Sequence, residues 1–159
     1  MLQLSVYAQE FPGEPTDFKG YDLYKVKVGK RGSISVVCPK EAAPGKPWMW
    51  RSFFWKALPG IHDTDLKLVD EGYHVVIAPG DVYGHPKGNA LPDAAYDLLT
   101  TEYGFAKKCS MASMSRETNA LFRWAYTHPD RVESIYVNNG VTNLMSWPGG
   151  ALVAGSKSK

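Results

Sequence analysis

The 159 residues contain only two cysteines, Cys38 and Cys109. That excludes a disulfide framework and a zinc site built from cysteine. Both sit in strand-like runs, where a thiol serves as a small buried hydrophobe. No apolar run approaches the ~18 residues that a membrane-spanning helix needs, so no membrane is implied. Neither sign of charge is in excess: 18 Lys+Arg against 16 Asp+Glu leave a formal net charge of +2. Scattered cations of that kind form no basic face, which argues against nucleic acid as a partner. Neither G-x-G-x-x-G nor G-x-x-x-x-G-K-[ST] follows any strand-like run, and Gly80 to Gly88 lacks the spacing, which argues against a nucleotide-binding Rossmann-type domain. No cofactor and no metal is indicated.

What is present is a sizeable core. Hydrophobic residues make up 44% of the chain, which excludes disorder. The length suits one domain that buries roughly 70% of its unfolded surface. At the N-terminus, Val6-Tyr7-Ala8 follows an apolar stretch and resembles the cleavage end of a secretory signal peptide. That points to a secreted or periplasmic protein, with cytoplasmic as the alternative. Residues 151–159 have linker composition and read as a flexible tail.

Between the ends, hydrophobic periodicity marks the elements. Leu23 to Val28 alternates apolar and polar, Gly29 to Gly32 turns the chain, and Ser33 to Cys38 returns as the second strand of a hairpin. Trp48 to Trp55 packs five aromatics into eight residues, starting as a strand and becoming irregular. Asp63 to Glu71 reads as a short helix with Leu66, Leu68 and Val69 inward and Gly72 at its stop. Tyr73 to Ala78 is a continuous apolar run, as in a strand covered on both faces. Leu91 to Tyr103 keeps helical spacing, Lys108 to Ser113 is a short buried strand, Arg116 to Thr127 is a helix stopped at His128-Pro129, and Ser134 to Val137 is a last strand. A hairpin followed by alternating strands and helices predicts an α/β fold, with a mostly parallel sheet and helices on both faces.

Such sheets bind ligands beyond the carboxyl ends of their strands. Four segments fall there: Arg51 to Trp55, Pro79 to Gly88, Ser113 to Glu117, and Asn138 to Gly140. The third is the most informative. In Ser113-Met114-Ser115-Arg116-Glu117, Ser115 stands between a buried strand and a helix. A nucleophile elbow there would lift the Ser115 hydroxyl clear of the backbone toward the helix N-terminal amides. The competing reading makes Ser115 an N-cap that satisfies an orphan amide of the helix. An elbow wants glycine two residues before and after the nucleophile; Ser113 is small enough, whereas Glu117 is bulky and brings a negative charge.

Five segments, in order, carry a resemblance: Lys40 to Arg51 (KEAAPGKPWMWR), Asp81 to Pro86 (DVYGHP), Ser113 to Arg116, His128 to Val132 (HPDRV) and Ser146 to Gly149 (SWPG). On these the chain from Asp17 to Gly150 resembles the N-terminal part of an α/β-hydrolase, close to prolyl-oligopeptidase-like and esterase-like members. The resemblance implies a partial α/β-hydrolase domain over 17–150, after an N-terminal segment over 1–16 and with the C-terminal strands missing. It implies that Ser115 occupies the nucleophile position. The Arg116 N–H would be the first oxyanion donor, and a backbone N–H around Arg51 or Ser52 the second. The Arg51 guanidinium would bind a substrate carboxylate or pair with Asp81. Trp50, His85 and Asp81 are candidate substrate-binding residues, although core packing is expected for most of the aromatic cluster Trp48, Trp50, Phe53, Phe54 and Trp55.

The resemblance also exposes gaps. The family order is Ser, then acid, then His, and the chain reaches only about 20 residues past Val137, short of both later loops. His74 and His128 read as structural, and the alternative acid position holds Asn138-Asn139, whose amides do not support an imidazolium as a carboxylate does. Two functions follow: a serine hydrolase acting on a small ester or peptide-like substrate, or a non-catalytic homologue that binds or scaffolds. With Ser134 to Val137 as an open edge, the isolated chain is expected to be marginally stable and prone to associate. Oligomeric state is left open.

Overall fold

The computed structural model describes residues 11–52, 61–81, 85–143, 145 and 149. The sequence readings on Val6-Tyr7-Ala8, on Phe53, Phe54 and Trp55, and on the tail lie outside the described residues. In chain order the elements are β1 (Thr16–Phe18), β2 (Tyr21–Val28), β3 (Gly32–Cys38), β4 (Trp48–Arg51), α1 (Ile61–Asp70), β5 (His74–Ile77), α2 (Ala90–Thr101), β6 (Cys109–Met114), α3 (Glu117–Thr127) and β7 (Val132–Asn138). Short 3-10 turns at Pro86–Asn89 and Pro129–Arg131 lead into α2 and β7.

The strands form one seven-stranded sheet in the order β1-β2-β3-β5-β4-β6-β7. It is a mixed sheet: β1, β2, β3 and β5 pair antiparallel, while β5, β4, β6 and β7 run parallel. The expected hairpin is β2–β3, joined by the turn in which the Arg31 N–H donates to the Val28 carbonyl at 3.0 Å. Strand β1 is too short and polar to show a period of two, and the sequence reading did not find it.

Strand alternation sends residues to opposite faces. From β4, Trp48 and Trp50 enter the larger core with Val76, Leu99, Leu121 and Trp124, under α2 and α3. Met49 enters the smaller core with Val37, Val69, Val75, Ile77 and Ala112, under α1. Helices therefore cover both faces, as the alternating order requires. Helix α1 ends in a Schellman motif, with the Gly72 N–H on the Val69 carbonyl at 3.0 Å and the Tyr73 N–H on the Leu68 carbonyl at 2.9 Å. Gly72 has φ +87°, and a Cβ there would lie 2.6 Å from the Ala43 nitrogen, so conformation and space both demand glycine. Cys109 is fully buried and Cys38 partly so, and burial pushes both thiols up to about 12.

Candidate functional site

The chain leaves β4 toward β5 on one side and later returns to β6 on the other. The crevice at the carboxyl ends of β4 and β6 is therefore the topological switch point, where open α/β sheets place their ligands. Ser115 stands there, between β6 and α3.

Ser115 has φ +53°, a left-handed conformation costing a non-glycine residue about 1–2 kcal/mol. Its surroundings fix it on both sides. The Ser115 N–H donates to the Asn138 carbonyl at 3.1 Å, and the Ser115 carbonyl accepts from the Thr118 N–H at 3.3 Å and the Val141 N–H at 2.9 Å. The end of β7 thus clamps the turn. Gly140 lets that clamp close: a Cβ there would strike Val137 and come within 2.7 Å of Thr118 Oγ1. Ser113 is fully buried, and its Oγ lies 3.1 Å from Thr118 Oγ1. The N-cap of α3 is Arg116, in helical conformation and without a side-chain cap bond, so the alternative reading of Ser115 as the N-cap does not hold.

Glu117 opens α3 and is 1% exposed. Its carboxylate turns back beneath the turn, where Oε2 accepts from the Met114 N–H at 2.9 Å. Bulky as it is, Glu117 is bonded into the tight turn.

The neighbouring strand ends join on the same edge. Ser52, the first residue after β4, is fully buried, and its Oγ accepts from the Gly80 N–H at 3.2 Å. A Cβ on Gly80 would lie 3.2 Å from the Ala120 Cβ, so the loop after β5 rests on α3. The ends of β4, β5, β6 and β7 thus converge around Ser52, Gly80, Ser115 and Asn138.

Other sequence expectations require correction. Arg51 neither faces the crevice nor pairs with Asp81. It is 5% exposed, and its Nε and Nη2 donate to Asp65 Oδ1 at 3.0 and 2.8 Å. Alternation forces this, because Arg51 shares the α1 face with Met49. Arg51 also lies inside the ladder, opposite Ile77 and Ala112, with its carbonyl taken by the Ala78 N–H at 3.0 Å. Trp50 does not line a substrate pocket. It is 3% exposed, its Nε1 donates to the Ala78 carbonyl at 2.8 Å, and its ring meets Trp124 edge-on at 5.2 Å.

Asp81 packs directly against Gly88. His85 is exposed, and its Nδ1 accepts from the Lys87 N–H at 3.2 Å, capping the turn before α2. His74 opens β5, at the opposite end of the sheet from Ser115; it is buried against Phe105 at 4.4 Å, and burial lowers its pKa to about 4. His128 follows α3 and stacks on Trp124 at 4.8 Å; the 11 residues of α3 put about 16 Å between it and the Ser115 turn. Neither reaches Ser115.

The sequence reading missed Asp65. Its signal was present: Asp65 lies four residues before Val69, on the inward stripe of α1. It was also blind to the Ser52 hydroxyl, because what a serine side chain bonds depends on a loop from another strand. Among the described residues, no cluster of three or more His, Cys, Asp or Glu could hold a metal, and no helix is long and apolar enough to cross a membrane.

No protein-family model and no curated protein matches the chain. Solved structures do. A cold-adapted esterase from an Arctic intertidal metagenomic library superposes with a TM-score of 0.56 at 15% identity, covering 81% of this chain and 65% of that one. An α/β-hydrolase fold protein of unknown function gives 0.55 at 13% identity, covering 89% and 52%. Epoxide hydrolase A from Mycobacterium thermoresistibile gives 0.51 at 17% identity, covering 74% and 38%. The chain spans less than two thirds of each of these structures. At such low identities the superpositions show the fold alone: the chain has the α/β-hydrolase fold, and its structural neighbours include hydrolases.

Proposed function

We propose that this chain carries the nucleophile of a serine hydrolase acting on a small ester, a peptide-like carbonyl being the less favoured substrate. The observation that carries the reading is the left-handed Ser115, φ +53°, in the sharp turn from β6 into α3 at the switch point of the sheet. That conformation supports reading the turn as a nucleophile elbow, and strain clamped at a ligand crevice is characteristic of functional positions.

In this reading the Ser115 Oγ attacks the carbonyl carbon, and its proton goes to a histidine. The tetrahedral oxyanion is held by the Arg116 N–H at the start of α3 and by a second amide just past β4. Because Arg51 lies inside the ladder, Ser52 is the better of the two residues named for that second amide. Collapse expels the alkoxide, protonated by the histidine, and water then hydrolyses the acyl-serine. Neither His74 nor His128 is placed for the proton transfer, and in the α/β-hydrolase order the acid and the histidine follow the nucleophile on later loops.

The test is labelling of the full-length protein with a fluorophosphonate probe. Ser115 is the expected site, and Ser115→Ala abolishes the adduct; labelling that survives that substitution refutes the assignment. A second reading, a non-catalytic homologue that binds or scaffolds, rests on the buried Glu117 carboxylate beside the turn and on amides at Asn138 and Asn139. A folded full-length protein that takes up no probe at all supports it.

A further inference from the structure

The structure assigns Glu117 a role that rests on the hydrolase reading and deepens it: Glu117 is a positioning residue that braces the Ser115 turn through the Met114 amide. The reasoning starts from strand geometry. Successive N–H groups of a strand point to opposite sides. The Ser115 N–H goes to β7, at the Asn138 carbonyl, so the Met114 N–H points toward β4. The β4–β6 ladder has ended two residues earlier, where Arg51 pairs with Ala112. Among the described residues no ladder partner stands opposite Met114 on that side, and an unsatisfied buried amide costs as much as a lost hydrogen bond.

Glu117 supplies the acceptor. One helical step past Arg116, its side chain folds back and places Oε2 2.9 Å from the Met114 nitrogen. The residues flanking Ser115 are thereby fixed from two directions, Met114 by α3 and Ser115 itself by β7. A glycine at position 117 would relieve crowding but leave that amide without a carboxylate. The bulky side chain therefore does by hydrogen bonding what compactness would otherwise do, and Ser115 is held in its left-handed conformation without a glycine two residues on either side.

Two readouts on the full-length protein test this: hydrogen exchange at the Met114 amide, with Val76 as a core control, and the rate of fluorophosphonate labelling at Ser115. Glu117→Ala removes the acceptor, and Glu117→Asp withdraws it by one methylene while keeping the charge. Both are expected to speed Met114 exchange and slow labelling by about tenfold or more, the worth of one hydrogen bond to a charged group. Glu117→Gln retains an acceptor oxygen and is expected to keep most of the protection and most of the labelling rate. Unchanged Met114 exchange in the Ala and Asp variants overturns the proposal. So does faster labelling on removal of the carboxylate, which would make Glu117 a suppressor of the site. A wild-type protein that takes up no probe counts against the hydrolase reading alone, and the exchange readout then decides the bracing role.

Discussion

At the scale of a residue, Ser115 is held where its own conformational preference is poor. A serine at φ +53° gives up about 1–2 kcal/mol relative to a right-handed conformation. Glycine has no such penalty there, although it loses more freedom on folding, by about 0.5–1 kcal/mol. Ser115→Gly is therefore expected to stabilise the fold by about 0.5–1 kcal/mol, read as a higher urea midpoint with an unchanged slope. Ser115→Ala keeps the strain and gains no such stability. A stabilisation shared equally by the two variants would show that the backbone at 115 is unstrained.

At the scale of elements, the join between β4 and α1 depends on a buried ion pair. Arg51 and Asp65 are 5% and 1% exposed, and Arg51 Nη2 lies 2.8 Å from Asp65 Oδ1. Removing one partner strands the other charge in the core, at a cost of about 3–5 kcal/mol. Asp65→Ala is expected to lower stability by that amount in urea denaturation. The double variant Arg51→Met with Asp65→Leu buries apolar groups of similar size and is expected to recover most of the loss. A single and a double variant of equal stability would show that the cost comes from packing, not from the stranded guanidinium.

At the scale of the whole molecule, stability is tied to pH through His74. Burial against Phe105 lowers its pKa from 6.5 to about 4. Between those values the unfolded chain takes up a proton that the native protein refuses, so stability falls as pH drops from 6.5 toward 4. The loss attributable to His74 approaches about 3 kcal/mol at the acid end of that window. His74→Phe keeps a ring against Phe105 and is expected to flatten the dependence. The check is the stability difference between variant and wild type across pH 4–7, which should widen in favour of the variant as pH falls.

Much of this protein was already written in the sequence. Local periodicity carried the hairpin and the three helices, and short apolar or aromatic runs between them carried the strands β4 to β7. The alternation of strand and helix carried the fold class, because a crossover can close onto a sheet in few ways. The place of Ser115 at a strand–helix junction was legible for the same reason. The tertiary structure alone decided what those residues face. Whether Arg51 looks into the crevice or into the α1 core is a matter of strand register, which a shift of one residue inverts. Whether Trp50 lines a pocket or the interior follows from the same alternation. The partners of Ser52 and Glu117 depend on where neighbouring strands end, since only a ladder that stops short leaves an amide for a side chain to satisfy.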